Sequence, residues 1–229
     1  QAVLTSNGEL LFAKAIVLGE GETEVQALPI FCQQHWGLTP VESGLSFVDA
    51  KGCGNYYPFV ALAEAFQIPW YIFSDGEKDT KKGLKKLLKR TYNEDKELAE
   101  QNNIFIISPE KDFEGMLLDD GYKDEIEKAI EQLKGEGYID EFIRKFNHKP
   151  KGREQTPNIC KSCNQHIFVD IERIYDGEDG RLTALDDIME KNKAQLGPVL
   201  ANCIIESEKP LPPLVVKLFD GIKKDICHV

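Results

Sequence analysis

The chain lacks any apolar run close to the roughly 20 residues that a membrane-spanning helix needs. Its opening stretch, "QAVLTSNGELLFAKA", lacks the basic segment and long apolar segment of a signal peptide. It also lacks an initiator Met, as a fragment or a processed product would. There is no excess of cations: 28 Lys and Arg face 39 Asp and Glu, a formal net charge of −11. That balance excludes a protein that coats nucleic acid through a general basic surface. It does not exclude a nucleic-acid enzyme, because acids that hold metal ions add to the deficit. The six cysteines (Cys32, Cys53, Cys160, Cys163, Cys203, Cys227) are scattered. A chain of 229 residues needs no staples, so free thiols in a reducing cytoplasm are expected. No internal repeat, low-complexity segment or Gly-x-x-x-x-Gly-Lys-Ser/Thr phosphate loop is present.

What is present reads as an ordinary globular chain, 41% hydrophobic and 29% charged. Short apolar strands are expected at Ala13 to Leu18, Leu45 to Ala50, Ile68 to Asp75 and Asn103 to Ser108. Helical patterns lie between them: Thr23 to Trp36, "YYPFVALAEAF" and "DTKKGLKKLLKRTY". Strands alternating with helices predict an α/β fold with a parallel sheet covered on both faces. From Phe113 to Asn147 the pattern is helical and charged. "NHKPKGREQTPN" reads as a polar linker or mobile loop. A helix is expected over Asp186 to Asn202, and another after the prolines of "EKPLPPL".

Ligands of such sheets sit at the carboxyl ends of the strands. Two acidic clusters fall there: Glu20, Glu22 and Glu24 after the first strand, and Asp75, Glu77 and Asp79 after the third. Hard divalent cations want oxygen ligands. Two of them about 4 Å apart can clamp the attacking and leaving oxygens of a phosphodiester. Glu20 is expected at the strand end and Glu24 on the first helical turn. Glu22 reads as a solvated charge favoured by the helix dipole, and Thr23 as a cap or first-turn residue. Ser74 and Ser108 read as structural hydroxyls.

Two further features carry competing readings. Lys78, Lys82, Lys85 and Lys89 fall near one face of the third helix, either as a solvated face or as contacts to a phosphate backbone. Cys160, Cys163 and His166 make half of a zinc site, which His148 or Cys203 would complete. An ordinary pair of thiols is the competing reading there.

"FAKAIVLGEGETEVQALPIF", "VDAKGCGNYYPFVALAEAFQIPWYIFSDGEKD" and "IFIISPEKDFEGML" together resemble the Toprim domain of OLD-family (overcoming lysogenization defect) nucleases. That family includes the nuclease subunit of Gabija-type anti-phage systems. The resemblance spans roughly Leu11 to Leu118 and returns at "KNKAQLGPVLANCI". It implies a Toprim, Rossmann-like parallel-sheet core over residues 1–112, a helical insertion and linker with the CxxC over 113–170, and a C-terminal helical segment over 171–229. It also implies a cytoplasmic DNA endonuclease that uses Mg²⁺ or Mn²⁺, two ions together, in phage defence or DNA processing.

Carried over by position, Glu20 and Glu24 are catalytic metal ligands or, for one of them, a base, and Asp75 is a catalytic metal ligand. Glu114 matches a later family glutamate, and Lys193, with Lys191 competing, matches a lysine that stabilises charge on the scissile phosphate. The family pattern is Asp-x-Asp after the third strand; here the second acid is Glu77, with Asp79 as its alternative. Gly19 stands where the family usually has an apolar residue. The family's N-terminal ABC-type ATPase domain is absent from this chain. A rival reading is a non-catalytic Toprim module that binds metal or a partner, or forms a homo-oligomer.

Overall fold

The computed structural model describes residues 7–159, 162–163 and 165–226. Four strands form one sheet: β1 (Ala15–Gly19), β2 (Leu45–Asp49), β3 (Trp70–Ser74) and β4 (Ile104–Ile106). The order is β2-β1-β3-β4 and every pair is parallel. The chain runs outward from β1 to β2 and then returns to the other side of β1 with β3. The crevice between β1 and β3 is therefore the switch point where such sheets bind ligands.

The helices that cover this sheet are α1 (Glu22–Trp36), the single turn α2 (Pro40–Ser43), α3 (Tyr56–Phe66) and α4 (Lys78–Tyr92). Beyond β4 come α5 (Phe113–Asp119), α6 (Lys123–Lys134) and α7 (Tyr138–Phe146). A hairpin of β5 (Pro150–Ile159) and β6 (His166–Glu172) follows, then α8 (Gly177–Glu190), α9 (Lys193–Glu206) and α10 (Pro213–Ile226). No described helix is long and apolar enough to cross a membrane.

The central strands β1 and β3 read as apolar runs because both of their faces are buried. Ile16, Leu18, Trp70 and Ile72 join Val60, Leu84 and Leu88 on the side of α3 and α4. Ala15, Val17, Tyr71 and Phe73 point the other way, into a cluster with Phe31, Leu196, Leu200 and Phe219. That second cluster also takes in Phe113, Ile126, Ile139 and Leu185. The C-terminal helices are thus one layer over the sheet, sharing its core.

Two segments differ from their sequence patterns. Residues 150–159 lie in a strand, although their sequence carries linker residues. Antiparallel pairing with β6, whose apolar residues alternate, supplies the order that β5 lacks by itself. The single helix expected over Asp186 to Asn202 is two. The Asn192 side-chain amide donates to the Ile188 carbonyl at 2.6 Å, closing α8, and the same residue then precedes the first turn of α9.

Candidate active site

Glu20 leaves the end of β1. Its Oε2 accepts from Ser74 Oγ at 2.8 Å, and its Oε1 from the Cys53 amide at 3.3 Å. The Thr80 hydroxyl stands 3.3 Å from Oε1. Behind Ser74, the buried Tyr56 hydroxyl donates to Ser74 Oγ at 3.1 Å. Every one of these donors is neutral, so they aim the carboxylate without cancelling its charge. Tyr56 lies beneath this layer, and burial together with the nearby acids raises its pKa. It offers no nucleophile to a phosphate.

Glu24 is the third residue of α1 and folds back over the helix start. Its Oε1 accepts from the Glu20 amide at 3.0 Å and from the Gly21 amide, so it closes a capping box. Gly21 leaves room for this fold-back: a Cβ there would stand 2.9 Å from Glu24 Oε2 and push the carboxylate aside. At Gly19 a Cβ would stand 2.4 Å from the Val25 side chain, so the departure from an apolar residue is a matter of packing with α1. Burial raises the Glu24 pKa against the opposing backbone bonds.

Asp75 follows β3. Burial, then the charges of Glu24, Glu20, Asp112 and Glu114, push its pKa up to about 8. Gly76 behind it is pinned to the loop after β4: its amide donates to the Lys111 carbonyl at 2.8 Å. A Cβ at 76 would stand 2.0 Å from the Ser108 carbonyl oxygen, so no other residue fits unshifted. Glu114, buried on the first turn of α5, accepts from Thr23 Oγ1 at 2.7 Å. Burial raises its pKa to about 7 against that hydrogen bond. Thr23 is therefore a partner of a site acid as well as a first-turn residue of α1.

Lys193 opens α9. Its Nζ lies 2.8 Å from Glu190 and 3.7 Å from Asp112. Burial lowers its pKa, but Glu190, Glu114 and Asp112 together hold it raised, and therefore charged. Gly197 sets this position: a Cβ there would meet the Thr23 carbonyl at 2.5 Å, so α9 lies directly on α1. Lys191 is elsewhere, its Nζ 4.8 Å from the centre of the Phe142 ring and 5.1 Å from that of Phe146.

Other residues singled out from the sequence stand apart. Glu77 is exposed and precedes the first turn of α4. It lines a shallow cleft of about 440 Å³ with Asp112 and Asp186. Asp79 is 87% exposed and paired with Lys82 at 2.9 Å, which lowers its pKa. Lys78 and Lys85 also pair with acids, Glu110 at 3.3 Å and Glu97 at 3.2 Å. This lysine face is largely neutralised by the chain itself. Cys160 lies outside the described residues. Cys163 and His166 are exposed on the hairpin. Cys203 is buried in α9 near Gln132, and His148 pairs with Asp176 at 3.2 Å. Among the described residues no three His, Cys, Asp or Glu side chains close into a ready ligand set, for zinc or any other metal. Asp112 is the acid that the sequence pattern did not single out. It caps α5 through the Gly115 amide at 2.9 Å.

Residues 11–76 match the family model for the overcoming lysogenization defect protein-like TOPRIM domain. Over this span the chain is similar to an OLD-like Toprim domain. No curated protein matches the sequence. Among solved structures, the C-terminal region of the Xanthomonas campestris pv. campestris OLD protein is similar over 96% of this chain and 97% of its own, with a TM-score of 0.63 and 18% identity. The C-terminal region of the Burkholderia pseudomallei OLD protein is similar over 94% and 99%, with a TM-score of 0.60 and 17% identity. At these identities the structures establish a shared fold. The Toprim match implies metal-dependent processing of nucleic acid in general. The matched span contains Glu20, Glu24 and Asp75, but not Asp112, Glu114 or Lys193.

Proposed function

We propose that this chain is a DNA endonuclease domain that depends on Mg²⁺ or Mn²⁺. One observation carries the reading: Glu20, Glu24, Asp75 and Glu114 gather at the carboxyl ends of β1 and β3 and beside α5, with Lys193 charged next to them. Burial first, and then the like charges of the neighbouring acids, push Asp75 up to about 8. These carboxylates outnumber the single charge that Lys193 brings to them, and such a surplus of oxygen donors fits a hard divalent ion. Glu20, Glu24, Asp75 and Glu114 would hold it by drawing closer together than they stand here, with Asp112 beside them. Bound there, the ion supplies positive charge to a phosphodiester and acidifies water.

The chain's own residues do the rest. Ser74, Thr80 and the Cys53 amide keep Glu20 in one orientation, and Thr23 does the same for Glu114. Lys193 brings the fixed positive charge that meets developing negative charge on a phosphate oxygen. To do so it exchanges its Glu190 contact for the substrate.

The test is nicking of supercoiled plasmid with Mg²⁺, Mn²⁺ or Ca²⁺. We expect metal-dependent nicking by the wild type, lost in Glu20→Ala, Asp75→Ala and Lys193→Ala and retained in Lys191→Ala. Nicking that survives Asp75→Ala would refute the assignment of the site. Absence of nicking in every metal, with divalent binding intact, would favour a binding module.

A further inference from the structure

The hairpin of β5 and β6 stands outside both hydrophobic clusters. Every residue of β6 is exposed, and among the described residues β6 pairs with β5 alone. Two strands by themselves are marginal in water, and three or more are needed for independent stability. The base of the hairpin is nevertheless fixed. Buried Asp187 of α8 pairs with Lys151 at 2.7 Å and accepts from the Tyr175 hydroxyl at 2.5 Å. The Arg173 amide donates to the Lys149 carbonyl at 3.0 Å, and the His148 amide to the Arg173 carbonyl at 2.9 Å. The arm is held at its root and bare along its length.

Its two edges differ. β5, "PKGREQTPNI", carries Pro150 and Pro157, which cannot donate to a ladder, together with a glycine and several charges. β6, "HIFVDIE", has neither proline nor glycine. Its Ile167, Val169 and Ile171 are 41%, 48% and 39% exposed, and as alternate residues they share one face. The Ile167 carbonyl turns toward β5, where Thr156 Oγ1 donates to it at 2.9 Å. By the alternation of an antiparallel strand, the free amides and carbonyls of the open edge belong to Phe168 and Asp170.

We propose that this edge pairs antiparallel with β6 of a second copy of the chain, on a two-fold axis through Val169. In that register Val169 faces its own copy, Ile167 faces Ile171, Phe168 faces Asp170 and His166 faces Glu172. No like charges oppose one another, and the two apolar stripes meet on one face. Moving the axis to Asp170 sets two carboxylates against each other. Moving it to Phe168 places Ile171 opposite Gln165, outside the strand. The pairing turns two bare hairpins into one four-stranded sheet.

Sedimentation velocity of the whole chain across micromolar concentrations tests this. The wild type is expected to dimerise, and Val169→Lys to weaken the dimer at least about tenfold, with the same melting curve as wild type at concentrations low enough that both are monomers. In a Cys160→Ser, Cys163→Ser background, Val169→Cys is expected to form a disulfide with its own copy under mild oxidation, and Ile171→Cys is not. A monomeric wild type would overturn the proposal. So would a dimer indifferent to Val169→Lys, or cross-linking through Ile171→Cys as ready as through Val169→Cys.

Discussion

Asp75→Asn should stabilise the metal-free protein while removing its response to metal. In the folded chain Asp75 keeps its proton up to about pH 8, and in the unfolded chain it releases it near 3.8. Between those values the folded state binds more protons, so stability falls as pH rises through the window. At pH 7 the span above 3.8 corresponds to at most about 4 kcal/mol, at about 1.4 kcal/mol per unit. Glu20, Glu24, Asp112 and Glu114 share this repulsion and readjust when one charge goes, so we expect about 2 kcal/mol. In a domain of this size that is a rise of about 4–8 °C in Tm. The assay is thermal unfolding in EDTA at pH 5.5, 7 and 8, with wild type and variant side by side. The gap between them should widen with pH, and added Mg²⁺ or Mn²⁺ should raise the wild type and leave the variant nearly still. A variant no more stable than wild type in EDTA at pH 8, with a gap indifferent to pH, would refute the reasoning.

Thr23→Val keeps the shape of the side chain but leaves Glu114 Oε1 buried without its donor. Divalent affinity at pH 7, read by thermal shift against metal concentration, should weaken about tenfold, and an unchanged titration would remove Thr23 from the site. Gly197→Ala places a Cβ 2.5 Å from the Thr23 carbonyl and forces α9 off α1. It should cost about 1–3 kcal/mol in urea unfolding and lower nicking more than it lowers metal affinity, because Lys193 moves while the acids stay.

The sheet was legible because its central strands, β1 and β3, are buried on both faces and show as apolar runs, and the outer strands are apolar enough to follow the same alternation with helices. That Glu20, Glu24 and Asp75 would lie close together could be read from the sequence, because they follow neighbouring parallel strands. The choice between neighbours could not be. Glu77 and Asp79 differ by which way the first turn of α4 points them, and Lys191 and Lys193 by where Asn192 breaks the helix. Neither is written in composition or spacing. Asp112 went unnoticed because aspartate before a helix is the ordinary signature of a cap, a role it also fills. The β5 strand was hidden because its order comes from β6 and not from its own residues.

The location of Lys193 bears on what the functional unit is. The span that matches the Toprim model ends at residue 76, and the acids within it make only part of the site. Asp112 and Glu114 arrive on α5, and Lys193 arrives on α9. Both helices pack into the cluster that also holds Val17 and Phe73 of the sheet. A Toprim core cut from the chain at residue 112 would expose that face of the sheet and lose the only lysine held against the site acids among the described residues. The crowded carboxylates press in the same direction. Without a cation between them they work against the fold, and the helices laid over the sheet supply the apolar burial that offsets the repulsion. The sheet and the helices of the C-terminal half are therefore one energetic unit, and the chemistry proposed for the site belongs to both.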